Sequence, residues 1–206
     1  MSTPPTALPA DFASAAEMLR DVTLRNDLAV REIAPPERIA PLSIAFAAGV
    51  RDGSGSDPES VLDSAAGAGR FVLMHDPASA EEWGGDFRII CYAQAPLELE
   101  IGVDPFISDV SWSWLIDALD SRGAQYSYIS GTATKVLSSS FGALEARGDG
   151  AQIELRASWT PLGTDVVAHF EAWAELLCLL AGLPHEEGVA SLTQHRVRAQ
   201  RSADSK

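Results

Sequence analysis

The chain lacks any run of apolar residues approaching the roughly eighteen that a membrane-spanning helix needs. It opens on Met-Ser-Thr-Pro-Pro-Thr, without the basic and apolar regions of a secretory signal. Cysteine is scarce. Cys91 and Cys178 both sit in apolar runs, which excludes a disulfide framework and predicts a reducing, cytoplasmic setting. Positive charge is scarce too: 15 Lys and Arg against 29 Asp and Glu give a net charge of −14. Phosphate backbones and anionic headgroups are bound by clustered Lys and Arg, so nucleic acid and membrane surfaces are excluded as partners. The same field favours a basic protein partner.

The familiar catalytic signatures are also missing. There is no Gly-x-Ser-x-Gly elbow. Gly67-Ala-Gly69 lacks the third glycine of a phosphate-cradling turn. The segment from Asp52 offers Asp52, Ser54 and Ser56 in calcium-loop spacing, then places Asp57 where the turn glycine belongs and Pro58 after it. His75, Cys91, His169 and Cys178 are too scattered for a zinc site, and His185 and His195 fall in or near the tail. No catalytic, cofactor or metal residue is therefore assigned. Ser138-Ser-Ser-Phe-Gly142 reads as a strand end.

What is present is enough apolar material, 46 %, for one sizeable core. Residues 1–9, with three prolines, read as a disordered tail, and residues 184–206 as a disordered, weakly basic one. Arg196, Arg198, Arg201 and Lys206 against Glu186, Glu187 and Asp204 leave that tail at +1 and the rest of the chain at −15. Residues 10–183 form one domain, with a flexible acidic loop at 51–69 that has room for a short helix at 58–66.

Three helices are expected. Phe12, Ala16, Leu19 and Val22 share a face after Pro9; Val110 to Arg122 follows a cap at Ser108 or Asp109; Val166, Phe170, Trp173, Leu177 and Leu180 mark the clearest stripe, capped by Thr164 or Asp165. Glu175 falls off that stripe and is expected in solvent. Period-two segments surround them at 42–50, 71–75, 87–93, 97–103, 126–136 and 153–159. Strands following strands give α+β: a mainly antiparallel sheet of about five to six strands with two or three helices packed on it. Asp76-Pro77 before Glu81 and Glu82 reads as a capped helix start, ended by Gly84-Gly85.

Trp112 and Trp114 stand two apart on the second helix, so their indoles diverge by about 200°. Trp112 shares a side with Leu115, Ile116 and Leu119 and is the buried one; Trp114 is the surface candidate. Two functions follow. The first is a non-catalytic interaction or adaptor module with a protein partner, anchored by Trp114. The second is a small-molecule-binding protein or enzyme whose pocket, between sheet and helices, uses Arg88, Arg156, Tyr126 or Tyr128.

Several ordered strings add a resemblance: Arg70-Phe-Val-Leu-Met-His-Asp-Pro77, Trp83-Gly-Gly-Asp-Phe-Arg88, Asp104-Pro-Phe-Ile-Ser-Asp-Val-Ser-Trp-Ser-Trp-Leu115, Gly131-Thr-Ala-Thr134, Gln152 through Pro161 and Ala172 through Cys178. Over roughly residues 10–185 the chain resembles the actinobacterial family named domain of unknown function three thousand. The resemblance implies an actinobacterial cytoplasmic protein and supplies no activity, cofactor or site residue.

Overall fold

A computed structural model describes residues 8–51 and 64–184. The two expected tails, apart from residues 8, 9 and 184, lie outside the described residues, as does most of the 51–69 loop with residues 58–63 of its possible helix. The fold is α+β. Helix α1 (Ala10–Asp21) leads into strands β1 (Leu28–Ile33), β2 (Leu42–Val50) and β3 (Ala68–His75). A 3-10 turn (Pro77–Ser79) and the short α2 (Ala80–Trp83) precede β4 (Phe87–Leu97). Then come α3 (Leu99–Gly102), α4 (Ile107–Ser121), β5 (Tyr126–Ser138), a 3-10 segment (Gly142–Arg147), β6 (Gly150–Pro161) and α5 (Val166–Leu180). The sheet is antiparallel throughout, in the order β1-β2-β3-β4-β6-β5.

Strand alternation decides which face is covered. The rows Ile44–Leu73–Ile89–Trp159 and Phe46–Phe71–Cys91–Ala157 are cross-strand neighbours with every member buried. They pack against Phe12 and Leu19 of α1, Leu115 and Leu119 of α4, and Phe170, Trp173 and Leu177 of α5. Phe170 and Trp173 stack with ring centroids 5.4 Å apart. Gly69 makes that packing possible: a Cβ there would stand 2.9 Å from the Trp173 ring, whose Nε1 donates to the Tyr92 carbonyl at 3.0 Å. Burial pushes the Cys91 thiol up to about 12, an inert core sulfur. No helix among the described residues is long and apolar enough to cross a membrane.

The structure differs from the sequence reading at several places. Strand β1 has no period-two signal in the sequence, because Arg31 and Glu32 interrupt its apolar pattern at the sheet edge. Residues Ala68 and Gly69 belong to β3 and are buried, so the loop before them ends earlier than 69. Helix α4 starts at Ile107, ahead of the expected cap; Ser111 and Ser113 instead bond back to the carbonyls of Ile107 and Asp109. The segment 97–103 is not a strand: β4 ends at Leu97 and a helical turn follows. The Asp76 cap is present, accepting from the Ala78 amide at 3.1 Å, and so is that of Asp165 on α5.

The largest correction concerns Glu175. It is 1 % exposed and receives Arg25 at 3.1 Å and Arg122 at 3.3 Å. Arg25 also reaches Asp27 at 2.8 Å and donates to the Pro184 carbonyl at 3.0 Å. Glu175 thus ties α5 to the segment after α1 and to the end of α4, and Arg25 adds the chain leaving α5. Helical periodicity put Glu175 on the solvent side because it cannot register that two arginines from elsewhere in the chain close over it.

Removing one partner of a buried ion network leaves charges without compensation. Glu175→Ala is therefore expected to cost about 3–5 kcal/mol in chemical denaturation, close to the roughly 2–5 kcal/mol of the cavity left by Leu177→Ala. The exposed Glu17→Ala should stay within about 0.5 kcal/mol. A small Glu175 effect would contradict the arrangement.

His169 is fully buried and accepts at Nδ1 from Trp159 Nε1 at 3.0 Å; burial lowers its pKa to about 4. The unfolded ring takes up a proton near pH 6.5, so the neutral folded ring contributes stability above that pH, lost as pH falls towards 4. Thermal melts from pH 7 to 4.5 should fall more steeply for the parent than for His169→Asn, which keeps an acceptor without the titration. Parallel curves would contradict it.

Candidate functional site

The sheet face turned away from the helices is built by the alternate residues. On it the row Arg31–Ala47–Arg70–Tyr92–Arg156–Thr132 crosses all six strands. The next row is Ile33–Ala45–Val72–Ile90–Ser158–Ser130. The apolar half of this face, Ala45, Val72 and Met74, is closed over by Ile39, Ala40 and Trp83. The half formed by β4, β6 and β5 carries polar side chains. Tyr92 donates to Gln94 at 2.5 Å, Gln152 donates to the same oxygen at 3.0 Å, and Arg156 lies 5.3 Å from the centre of the Tyr92 ring.

Where the two halves meet, a pocket of about 550 Å³ opens. Met74 and Ile90 give it an apolar floor, Trp83 and Tyr128 form its aromatic edges, Arg88, Ser130 and Ser158 supply polar atoms, and the exposed Glu82 stands at its margin without an ion pair to Arg88. Each is there for a local reason. The Asp76 cap and the Gly84 turn, at φ 77°, fix the short helix that ends on Trp83. Alternation on β4 sends Ile89 and Cys91 to the core and Arg88 and Ile90 to this side. A bulge in β5 between Ser127 and Ser130 holds Tyr128 at φ 51°. That backbone region is unfavourable for a bulky side chain and recurs at ligand sites.

Arg88 is half-buried. Its Nη2 donates to Ser158 Oγ at 2.7 Å and its Nη1 to Thr160 Oγ1 at 3.1 Å; Thr160 in turn donates to the Trp83 carbonyl. Among the described residues no carboxylate pairs with it. Burial accordingly lowers its pKa, with no countering acid. Other arginines are treated differently: Arg20 meets Glu32 at 2.8 Å, Arg25 and Arg122 meet Glu175, and Arg156 meets Glu154 at 3.3 Å. A second pocket, of about 460 Å³ beside Arg25, Arg122 and Glu171, has its cations neutralised by that acid set. Among the described residues no group of three or more His, Cys, Asp and Glu could hold a metal ion.

The residues singled out from sequence are not all brought together. Arg88 and Tyr128 share the pocket. Arg156 is on the same sheet face, exposed and flat beside Tyr92 and Glu154. Tyr126 packs against the helix-side core, its hydroxyl 3.5 Å from Asp120, and burial raises its pKa. Trp114 and Trp112 are both half-buried against that core, Trp112 over Gly131. The pocket is thus on the far side of the sheet from the helices, not between them. Trp83, Ser130 and Ser158 were not singled out. The available signal was alternation itself, which turns Arg88 and Ser158 to the same face, and an aromatic residue just before Gly84-Gly85.

Tyr128 and Gly84 are coupled, because a Cβ on Gly84 would run into the tyrosine ring. Gly84→Ala should cost about 1–3 kcal/mol, from the left-handed backbone plus the clash. In a Tyr128→Ala background the cost should shrink to about 1 kcal/mol, the backbone part alone. Strict additivity in a double-mutant cycle would contradict the contact.

No curated protein and no solved structure matches the chain. One family does, over residues 8–190, a span that contains every described element of the fold and the whole Arg88 pocket. The chain belongs to the family described as protein of unknown function (DUF3000).

Proposed function

We propose that the protein is a non-catalytic, cytoplasmic binding protein that holds a small anionic ligand with an apolar body on the open face of its sheet. The observation that carries this reading is a half-buried guanidinium held by two hydroxyls and no carboxylate, at the base of a pocket edged by Trp83 and Tyr128. A partly desolvated cation with no carboxylate paired to it favours an arriving carboxylate or phosphate, to which the planar guanidinium donates paired N–H groups. Ser130 and Ser158 add donors for the same group. Met74, Ile90 and the two aromatic rings suit the apolar body. Two buried free cysteines support a reducing compartment. A protein-interaction role is supported by a different surface, around residues 98–110.

Phenyl phosphate, benzoate and neutral benzyl alcohol serve as probes in thermal unfolding of the full chain. At about ten times its Kd a ligand adds about 1.4 kcal/mol, or about 3–5 °C for a chain of this size. The two anions should raise Tm and the alcohol should not. Arg88→Met should abolish the rise while staying within about 1 kcal/mol of parental stability, since it removes an uncompensated charge and keeps the aliphatic packing. Equal shifts with the neutral compound, or an undiminished shift in Arg88→Met, would overturn the reading.

A further inference from the structure

The segment 97–103 has the alternation of a half-buried strand, yet it folds as a helical turn that leaves its apolar side chains outside. Leu99 and Ile101 are each 43 % exposed, Val103 58 % and Phe106 67 %; Val110 and, on β5, Leu137 are exposed beside them. The backbone beneath is firmly held. Gly102 donates to the Glu98 carbonyl at 2.9 Å, Val103 to Leu99 at 3.1 Å, and the Phe106 amide to Asp104 Oδ1 at 2.8 Å. Lys135 reaches from β5 to the Asp104 carbonyl at 2.8 Å. Gly102 itself sits against Ala151 and Leu137, where a Cβ would not fit. These side chains are therefore displayed by a fixed platform.

Four carboxylates against the single ammonium of Lys135 leave that platform net negative. Residues 98–110 contain Glu98, Glu100, Asp104 and Asp109, all exposed, and no Lys or Arg. An apolar patch ringed by carboxylates is complementary to a segment with apolar residues on one side and Lys or Arg on the other. A second copy of the chain would bring the same four carboxylates against themselves, in a molecule already at −14. We infer that residues 98–110, with Leu137, form a docking surface for a cationic amphipathic helix of another protein. Ile101, Val103 and Phe106 are its anchors and the four acids its rim, in the manner of a helix laid into an apolar groove. This surface is distinct from the Arg88 pocket.

The test is fluorescence anisotropy of a labelled Leu/Lys peptide of about fourteen residues, with leucines at helical spacing, titrated with the full chain. A control peptide carries serine for every leucine. The parent should bind the first peptide and not the control. Ile101→Ser with Phe106→Ser, both at exposed positions, should weaken binding about tenfold or more with the melting curve unchanged. Glu98→Gln, Glu100→Gln and Asp109→Asn together should weaken it severalfold and flatten its salt dependence. Arg88→Met should have no effect, which separates this surface from the ligand pocket.

Equal binding of the serine peptide, or parental affinity in the Ile101/Phe106 variant, would overturn the proposal. So would a dimer in sedimentation equilibrium that Phe106→Ser splits, which would make a second copy the occupant. A gain of about tenfold on replacing Arg196, Arg198 and Arg201 with Gln would make the chain's own tail the occupant, and would overturn it as well.

Discussion

Among the described residues the long helices cover one face of the sheet only, and most of the structure's properties depend on that. Helices α1, α4 and α5 lie against the rows that begin with Ile44 and Phe46, so every apolar residue of those rows enters one continuous core. Among the described residues no helix of that length lies on the opposite face. Its apolar half is closed by Ile39, Ala40 and Trp83, and its other half is left to side chains that tolerate water. Arg88 stands at the boundary. Close enough to Trp83 and Met74 to lose solvent, and fixed through Thr160 to the turn that carries Trp83, it becomes a cation in a partly apolar setting.

Charge is distributed to different ends by the same chain. Glu175 gathers Arg25 and Arg122 in the interior and spends both cations on structure. Arg20 with Glu32 is an exposed pair and contributes little to stability. Arg88 keeps a cation in reserve, and residues 98–110 do the reverse by setting four carboxylates around exposed apolar groups. Arg88 is near the start of β4 and the apolar platform follows its end, about 30 Å apart along the strand at ordinary β spacing. Two surfaces of opposite character thus lie at the two ends of one strand.

The long elements were legible because burial imposes a period. Val166, Phe170, Trp173, Leu177 and Leu180 mark α5, and alternation marks β2, β3, β4 and β6, since each meets the core along one stripe or one face. Where a side chain's surroundings are made by distant segments, the period fails. Glu175 has the spacing of a solvent position and is buried by arginines contributed from elsewhere in the chain. Leu97 to Val103 has the spacing of a strand and becomes a turn, because Gly102 seats against Ala151 and ends the pairing.

The site was legible in the same partial way. Arg88 and Tyr128 could be named as polar residues on strands, but the bulge that lifts Tyr128 over Gly84 depends on how β5 registers with β6. The one local signal at Trp83 is an aromatic residue just before Gly84-Gly85, and that marks a turn rather than the edge of a pocket. The two tryptophans two apart on α4 diverge as helix geometry requires, yet α4 lies on the sheet beside α5 and leaves both half-buried, so the spacing alone does not separate a buried indole from an exposed one.

Amide, guanidinium and indole chemical-shift mapping with phenyl phosphate tests the central claim most directly. The largest changes should fall on Arg88 Nε–H, the Trp83 indole and the amides of Ser130 and Ser158, while the core indoles of Trp159 and Trp173 stay unmoved. Changes centred instead on the helix side, at Arg25 and Arg122, or no localised change at all, would contradict it.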